Sequence, residues 1–146
     1  MTTLHASCVT LGGAGILIRG PSGSGKSSLA VLIAAEADGA FVADDRVVCD
    51  RRADALVARS HEVSAGQVEI RGQGILSAAD LGLPLRYEAH LRLSVDLVDE
   101  QPRLPDPPGD AHILDVPLPR LVLDAAVRRA GLSMLLIRAA LRKSSP

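Results

Sequence analysis

A glycine-rich segment of eight residues constrains the fold of this chain more than any other part of its sequence. It reads Gly20-Pro21-Ser22-Gly23-Ser24-Gly25-Lys26-Ser27 and matches the pattern GxxxxGK[ST]. Glycines let backbone N–H groups turn toward phosphate oxygens, and a helix that begins after the loop directs its positive end at the same anion. In this pattern the lysine reaches the β- and γ-phosphates, and the hydroxyl of Ser27 ligates Mg²⁺. The segment therefore predicts a loop that binds ATP and Mg²⁺ between a strand and a helix.

Apolar patterns on both sides of the loop predict the strand and the helix that it requires. Residues Leu4–Thr10 and Gly15–Arg19 are expected to form two strands joined by a glycine turn. Helical periodicity covers Lys26–Ala37, with Gly39 as its C-terminal stop. The short apolar run Ala40–Ala43 predicts the next strand. A strand, a phosphate loop, a helix and a strand in this order are typical of an α/β domain.

The rest of the chain mixes strand patterns with loops and ends in a helical pattern. Further strands are predicted at Arg46–Cys49, Ala55–Ala58 and Ala89–Val98. The glycine-rich stretch Ser64–Gly74 and the proline-rich stretch Gln101–Asp110 predict loops, and Leu121–Leu141 predicts a helix broken at Gly131. We therefore expect a single α/β domain over residues 1–146, in which a mixed sheet carries the phosphate loop and flanking helices.

Composition argues against several other classes of protein. The net charge is −1, and one Phe and one Tyr are the only aromatic residues, whereas nucleic-acid binders present basic surfaces and stacking aromatics. The sequence lacks the order of a signal peptide and any apolar run of membrane-spanning length. Its two cysteines form no metal-ligand pattern. These features predict a cytoplasmic protein with no nucleic-acid or membrane partner.

A pair of carboxylates, Asp44 and Asp45, ends the strand that follows the predicted helix. Phosphate-loop proteins place an acidic residue near the bound Mg²⁺ at this point, and a carboxylate there can also act as general base toward an incoming hydroxyl. Adjacent strand residues point to opposite faces, so the two aspartates should have different partners. We expect one to face the phosphates and the other to make structural hydrogen bonds.

Taken together, these segments resemble the catalytic domain of bacterial HPr kinase/phosphorylase. In that family a histidine stands fifteen residues before the first glycine of the loop, as His5 stands before Gly20. The family's acidic strand VADD matches Val42–Asp45, and its signature EIRGxGI matches Glu69–Ile75. The resemblance covers about Leu4–Leu97. The chain is similar to short alphaproteobacterial forms that carry no N-terminal regulatory domain.

The resemblance implies a function, a fold and a set of site residues. The family transfers phosphate from ATP to a serine of HPr, the phosphocarrier of the sugar phosphotransferase system, so HPr is the implied partner. Its members resemble phosphoenolpyruvate carboxykinase in fold and assemble as hexamers. By this analogy Asp44 accepts the proton of the serine hydroxyl. The implied catalytic residues are His5, Lys26, Asp44 and Arg103, and the implied Mg²⁺ ligands are Ser27 and Glu69.

Two later segments match the family loosely. Arg103 is identified by the similarity of Pro102-Arg103-Leu104 to the family's arginine segment. The family's PxRPGRN segment is tied to the reverse, phosphate-dependent reaction, and the corresponding stretch here is Val116-Pro117-Leu118-Pro119-Arg120-Leu121. Because this stretch lacks the glycine and the second arginine, we expect the phosphorylase activity to be weak or absent.

Other readings of the phosphate loop stay open or are excluded by particular residues. A GTPase is excluded because the chain contains no asparagine for the NKxD motif. The segment Val63–Gln67 resembles the signature of ABC transporter ATPases, but it follows the acidic strand where that signature would precede it. A phosphate-loop kinase for another acceptor, or a regulatory module that binds ATP without transferring phosphate, remains the alternative to an HPr kinase.

Overall fold

The computed structural model describes residues 1–62 and 65–144 and contains, within them, twelve strands and three helices. The strands are β1 (Thr2–Leu4), β2 (Ser7–Leu11), β3 (Ala14–Arg19), β4 (Gly39–Ala43), β5 (Val47–Arg52), β6 (Ala55–Ser60), β7 (Gln67–Ile70), β8 (Gly74–Ser77), β9 (Glu88–Leu97), β10 (Ala111–Ile113), β11 (Val116–Leu118) and β12 (Arg120–Leu123). The helices are α1 (Lys26–Ala34), α2 (Ala125–Arg129) and α3 (Ser133–Ser144). None of these helices is long and apolar enough to cross a membrane.

Eight strands form one mixed sheet in the order β1-β5-β6-β9-β3-β2-β4, with β12 also paired to β9. Strand β9 runs parallel to β3 on one side, while its other side pairs first with β6 and then, further along, with β12. Parallel strands bring their C-terminal ends to the same edge of a sheet, which is where open α/β folds bind ligands. The phosphate loop begins at this edge, directly after β3. The mixed α/β sheet predicted from the sequence is confirmed.

Alternate residues of β3 fill the cores on the two faces of the sheet. Ile16 and Ile18 are fully buried in a cluster that contains α1 and α3, with Ile33 as the matching residue of α1. Leu17 points to the opposite face and belongs to a second cluster, which includes Ile113 of the β10–β11 hairpin. Each buried side chain of this size contributes about 1.5–3 kcal/mol relative to exposure. The helices therefore cover one face of the sheet and the hairpin covers the other.

Helix α1 ends earlier than its apolar period predicts. The last helical residue is Ala34, and the backbone N–H of Ala35 caps the helix by donating to the Val31 carbonyl. Gly39, predicted as the C-terminal stop, is instead the first residue of β4. A Cβ added there would overlap the carbonyl oxygen of Ile33 and lie 3.0 Å from that of Ala34. Glycine is needed at this position because helix and strand backbones pass close together, so its predicted role was wrong.

The predicted loop Ser64–Gly74 was wrong at Gln67–Ile70 and Gly74, which lie in strands, while residues 65–66 and 71–73 are turns. Ser64, like Val63, lies outside the described residues. Strands β7 and β8 pair as an antiparallel hairpin, with Gln67 opposite Ser77 at one end and Ile70 opposite Gly74 at the other. The residues of β7 alternate polar and apolar, but only Val68 is buried and the run of four residues stands among glycines, so its strand pattern was missed. The Glu69–Ile75 motif thus forms the tip of a hairpin.

The C-terminal helical pattern contains a strand at its start. Residues Arg120–Leu123 form β12, and the helical part begins after Asp124, whose side chain accepts the backbone N–H of Val127. A short apolar run does not distinguish strand from helix by its period, which is why this boundary was missed. The break at Gly131, which has φ 77°, and the irregular connection Gln101–Asp110 are confirmed.

Candidate active site

A cavity of about 510 Å³ lies beside the phosphate loop and gathers residues from distant parts of the chain. The loop and the start of α1 contribute Ser22, Gly23, Gly25, Lys26, Ser27 and Ser28. Three other stretches contribute His5, Asp44 with Asp45, and Glu69 with Arg71. Of the residues predicted for catalysis or Mg²⁺, the structure therefore brings together His5, Lys26, Ser27, Asp44 and Glu69.

The backbone of the loop has the shape that the glycine pattern requires. Gly23 and Gly25 have φ values of 80° and 96°, a region that residues with a side chain rarely adopt. Lys26 is only 8% exposed, and its Nζ donates to the carbonyls of Gly20 at 2.8 Å and Pro21 at 3.2 Å. An ammonium has a third N–H, which stays available to an anion in the loop.

Three of the predicted loop residues, Gly20, Pro21 and Ser24, do not line the cavity but hold other parts of the loop in place. Gly20 and Pro21 supply the carbonyls that hold Lys26, and the backbone N–H of Ser24 donates to Pro21. A Cβ on Gly20 would lie 2.6 Å from Ser24 Oγ and 3.1 Å from Leu97 Cβ. The first glycine is therefore fixed by close packing against the end of β9.

Asp44 is the centre of the hydrogen-bond network and is only 4% exposed. Its Oδ1 accepts from Ser7 Oγ at 2.6 Å and from Ser27 Oγ at 2.8 Å. Its Oδ2 lies 2.9 Å from the same Ser27 hydroxyl and accepts the backbone N–H of Glu69 at 3.2 Å. A single carboxylate thus connects β2, α1 and β7.

Asp45 turns away from Asp44 and pairs with a different residue. The backbone N–H of Arg46 donates to the Asp44 carbonyl at 2.8 Å, which closes a tight turn around Asp45 at φ 67°. Such a turn is rare and strained for a residue other than glycine. It brings Asp45 Oδ1 to 3.1 Å from Nδ1 of His5. The two aspartates have different partners, as predicted, but the turn at Asp45 is the cause, since β4 ends at Ala43 before either residue.

His5 owes its position to an interruption in the first predicted strand. The run Leu4–Thr10 was expected to be continuous, but β1 ends at Leu4 and β2 starts at Ser7. Strand β1 pairs with β5, whereas β2 pairs with β3 and β4. The chain changes neighbours at this point, and His5, 58% exposed, projects at the junction.

Three residues at the site were missed in the sequence: Ser28, which directly follows the predicted loop, Arg71 and Ser7. Arg71 is part of the Glu69–Ile75 motif, and the hairpin tip places it on the cavity wall beside Glu69. Ser7 is a polar residue in β2, a strand whose residues are all buried. In the sequence, the only sign of its role was a serine inside a strand pattern. Its contact with Asp44 spans 37 residues, which no local pattern reveals.

Arg103 is not among the residues that line the cavity. It is exposed, in the irregular connection between β9 and β10. Its catalytic role stays a prediction from the resemblance.

A second charged cluster lies on β9, at the edge where the loop begins. Asp96, 13% exposed, accepts from Arg19 at 2.9 and 2.7 Å, from Arg120 at 2.8 Å and from Ser94 Oγ at 2.8 Å. Burial alone would raise the pKa of Asp96, but the hydrogen bonds from Arg19 and Ser94 outweigh it and hold the pKa below its usual range. Arg120, the one arginine of the Val116–Leu121 stretch, is thus already bound to a carboxylate.

Comparison with known proteins agrees with this arrangement. The family described as HPr Serine kinase C-terminal domain matches residues 1–144. The HPr kinase/phosphorylase of Azoarcus sp. (strain BH72) is 34% identical over 136 residues, which cover 87% of this chain and 43% of that protein. The corresponding protein of Bordetella pertussis is 32% identical over 136 residues, covering 88% of this chain and 44% of that protein. The chain therefore spans less than half the length of these two relatives.

The fold has a close match among solved structures. The structure of the Hpr(Ser) kinase/phosphatase from Coxiella burnetii superposes with a TM-score of 0.81 at 23% identity, covering 99% of this chain and 100% of that chain. At this identity the likeness establishes the fold. Since the family model matches almost the whole sequence, this chain belongs to the HPr serine kinase C-terminal domain family.

Proposed function

We propose that this chain is an ATP- and Mg²⁺-dependent kinase that phosphorylates a serine of HPr. The observation that carries the proposal is the buried carboxylate of Asp44, which lies 2.8 Å from Ser27 at the end of the phosphate loop. The relatives named HPr kinase/phosphorylase support HPr as the acceptor. Two free, buried cysteines support a reducing compartment, which agrees with the cytoplasm. By family resemblance the proposed assembly is a hexamer.

The proposed reaction is an in-line phosphoryl transfer in which Asp44 is the general base. The carboxylate takes the proton of the acceptor serine, whose oxygen forms a bond to the γ-phosphorus of ATP. The bond between that phosphorus and the bridging oxygen to the β-phosphate breaks, and ADP leaves with this oxygen. The free N–H of Lys26 and the loop amides stabilise the charge of the transferred group. His5 and Arg103 are the further catalytic residues in this proposal.

The donor atoms around Asp44 fit a magnesium ion. Mg²⁺ prefers oxygen ligands and uses few from the protein, taking the rest from phosphates and water. The hydroxyl of Ser27 and the carboxylate of Glu69 are the residues that would hold it, since both line the cavity. When bound, the ion neutralises charge on the β- and γ-phosphate oxygens.

The reverse reaction, the phosphate-dependent dephosphorylation of HPr, is proposed to be weak or absent. In the stretch that replaces the family's PxRPGRN segment, Arg120 donates to Asp96 at 2.8 Å, so its charge is already paired. An inorganic phosphate would have to displace this carboxylate to use the arginine. Release of pyrophosphate when phosphoserine-HPr is incubated with the chain and inorganic phosphate would contradict this part of the proposal.

The kinase proposal is tested with labelled ATP, Mg²⁺ and purified HPr, beside HPr whose acceptor serine is replaced by alanine. We expect label on wild-type HPr alone. Asp44→Asn should abolish transfer and keep ATP binding, because the loop and Lys26 are unchanged. Asp54→Asn is the control, since Asp54 is fully exposed and outside the cavity. ATP binding without transfer to HPr would refute the proposal in favour of another acceptor or a non-catalytic module.

A further inference from the structure

The hydroxyl of Ser7 is the donor to Asp44 that is least able to move. Ser7 is fully buried on β2, opposite Ile18 of β3, in a strand that also pairs with β4 from Cys8 onward. Its Oγ is 2.6 Å from Asp44 Oδ1. Ser7 is anchored by its backbone pairing with β3, and the second neighbour, β4, pairs from the next residue, so we expect this donor to keep its place when the cavity is filled.

The two other donors to Asp44 belong to parts of the site that have further tasks. Ser27 has one hydroxyl proton, which it shares between Oδ1 at 2.8 Å and Oδ2 at 2.9 Å, and its oxygen is a proposed Mg²⁺ ligand. The backbone N–H of Glu69 is more distant, at 3.2 Å, and belongs to the hairpin, where the side chain of Glu69 is exposed. Ser7 is therefore the donor that neither ligand binding nor movement of the hairpin would draw away.

Counting acceptor positions shows which donors would hold the Asp44 carboxylate when a substrate is bound. A carboxylate oxygen accepts about two hydrogen bonds in its plane. Oδ1 receives both Ser7 and Ser27, whereas Oδ2 receives Glu69 and only the shared proton of Ser27. When the Ser27 hydroxyl turns away, each oxygen keeps one donor and has one vacant position: Oδ1 keeps the hydroxyl of Ser7, and Oδ2 keeps the backbone N–H of Glu69.

Resting on the proposed function, we infer that Ser7 is a positioning residue that holds Oδ1 of Asp44 and thereby fixes the orientation of this carboxylate toward the acceptor hydroxyl. Ser7 itself is no phosphate acceptor because it is fully buried. Its effect belongs to the transfer step, because it touches Asp44 and not the loop that binds ATP.

The test compares Ser7→Ala with Ser94→Ala. Ser94 is equally buried and donates to an aspartate, Asp96, at 2.8 Å, so the control removes the same kind of contact outside the cavity. Losing a hydrogen bond to a charged group should lower kcat for HPr phosphorylation by about ten- to a hundredfold in Ser7→Ala. The KM values for ATP and HPr should stay within about twofold, as for a group that acts only in the transition state. Ser94→Ala should keep kcat, and Ser7→Thr, which restores the hydroxyl, should recover most of it.

Crystal structures of the wild-type protein and of Ser7→Ala give a readout that is independent of transfer. We expect the Asp44 carboxylate to be rotated or present in two orientations only in the variant. Any one of four results would overturn the inference. These are a carboxylate that does not move, an unchanged kcat in folded Ser7→Ala, an equal loss of kcat in Ser94→Ala, or a loss of ATP affinity in place of a loss of kcat. Failure of the wild-type chain to label HPr would instead refute the proposed function, and the two structures would still decide whether Ser7 orients Asp44.

Discussion

Gly39 links the stability of the fold to the geometry of the site. In Gly39→Ala the new Cβ would overlap the carbonyl oxygen of Ile33 and lie 3.0 Å from that of Ala34. Both obstacles are backbone atoms, so no side chain can rotate to relieve them, and α1 must move away from β4. Overpacking of this kind costs about 1–3 kcal/mol, and the rigid obstacle places the change at the upper end, near 3 kcal/mol.

The consequence should extend to phosphate binding because α1 begins with Lys26 and Ser27. A displacement of about 1 Å can cost a hundredfold in rate when it misplaces groups that act on the substrate. We therefore expect Gly39→Ala to lower both the unfolding midpoint and the transfer rate. At this chain length 3 kcal/mol corresponds to a fall in Tm of about 6–12 °C.

Thermal and urea unfolding, together with the HPr assay, would measure these effects. Gly109→Ala is the matched control, since it adds the same methyl where nothing lies within 4 Å. Its stability should stay within about 0.5 kcal/mol of wild type. A Gly39→Ala protein as stable as the Gly109→Ala protein would refute the reasoning from backbone contact.

Two other predictions concern charged residues near the loop. The folded pKa of Asp96 is depressed, so its contribution to stability is present above about pH 4, the unfolded value, and is lost as the pH falls through the folded pKa. Asp96→Asn should therefore be less stable at neutral pH and lose less stability than wild type on acidification in urea titrations; parallel profiles would contradict this. At Asp45, with φ 67°, Asp45→Gly should be more stable than Asp45→Ala by about 1–2 kcal/mol, the reverse of the usual order. Thermal unfolding of the two variants decides this, and equal Tm values would contradict it.

Local sequence signals predicted the parts of the fold that local chemistry determines. The loop Gly20–Ser27, the strand before it and the start of the helix after it follow from glycine placement and apolar period, and these were correct. Strand β12 was mistaken for helix because three apolar residues fit either period. Strand β7 was missed because its alternation covers only four residues within a glycine-rich stretch.

The site was predictable as far as its motifs reach. Asp44, Glu69 and His5 come together as the resemblance implied. Ser7 was not predictable, since its role depends on β2 and β4 lying side by side, a pairing set by the whole sheet. The predicted position of Arg103 rests on a segment without regular structure, where alignment has no periodic pattern to follow.

Strand β9 lies between β3 and β6, which both precede it in the sequence, and this position implies an order of events during folding. Arg19 faces Asp96 across β3 and β9, although 77 residues separate them in the chain. All of the motif residues from His5 to Ile75 precede β9 in the sequence, yet Gly20 packs against Leu97. Closing so long a loop is slow because its entropy is lost before the contacts form. A nascent chain would therefore carry all residues of these motifs before β9 is made, and the phosphate loop would gain its support late, when β9 pairs with β3 and β6.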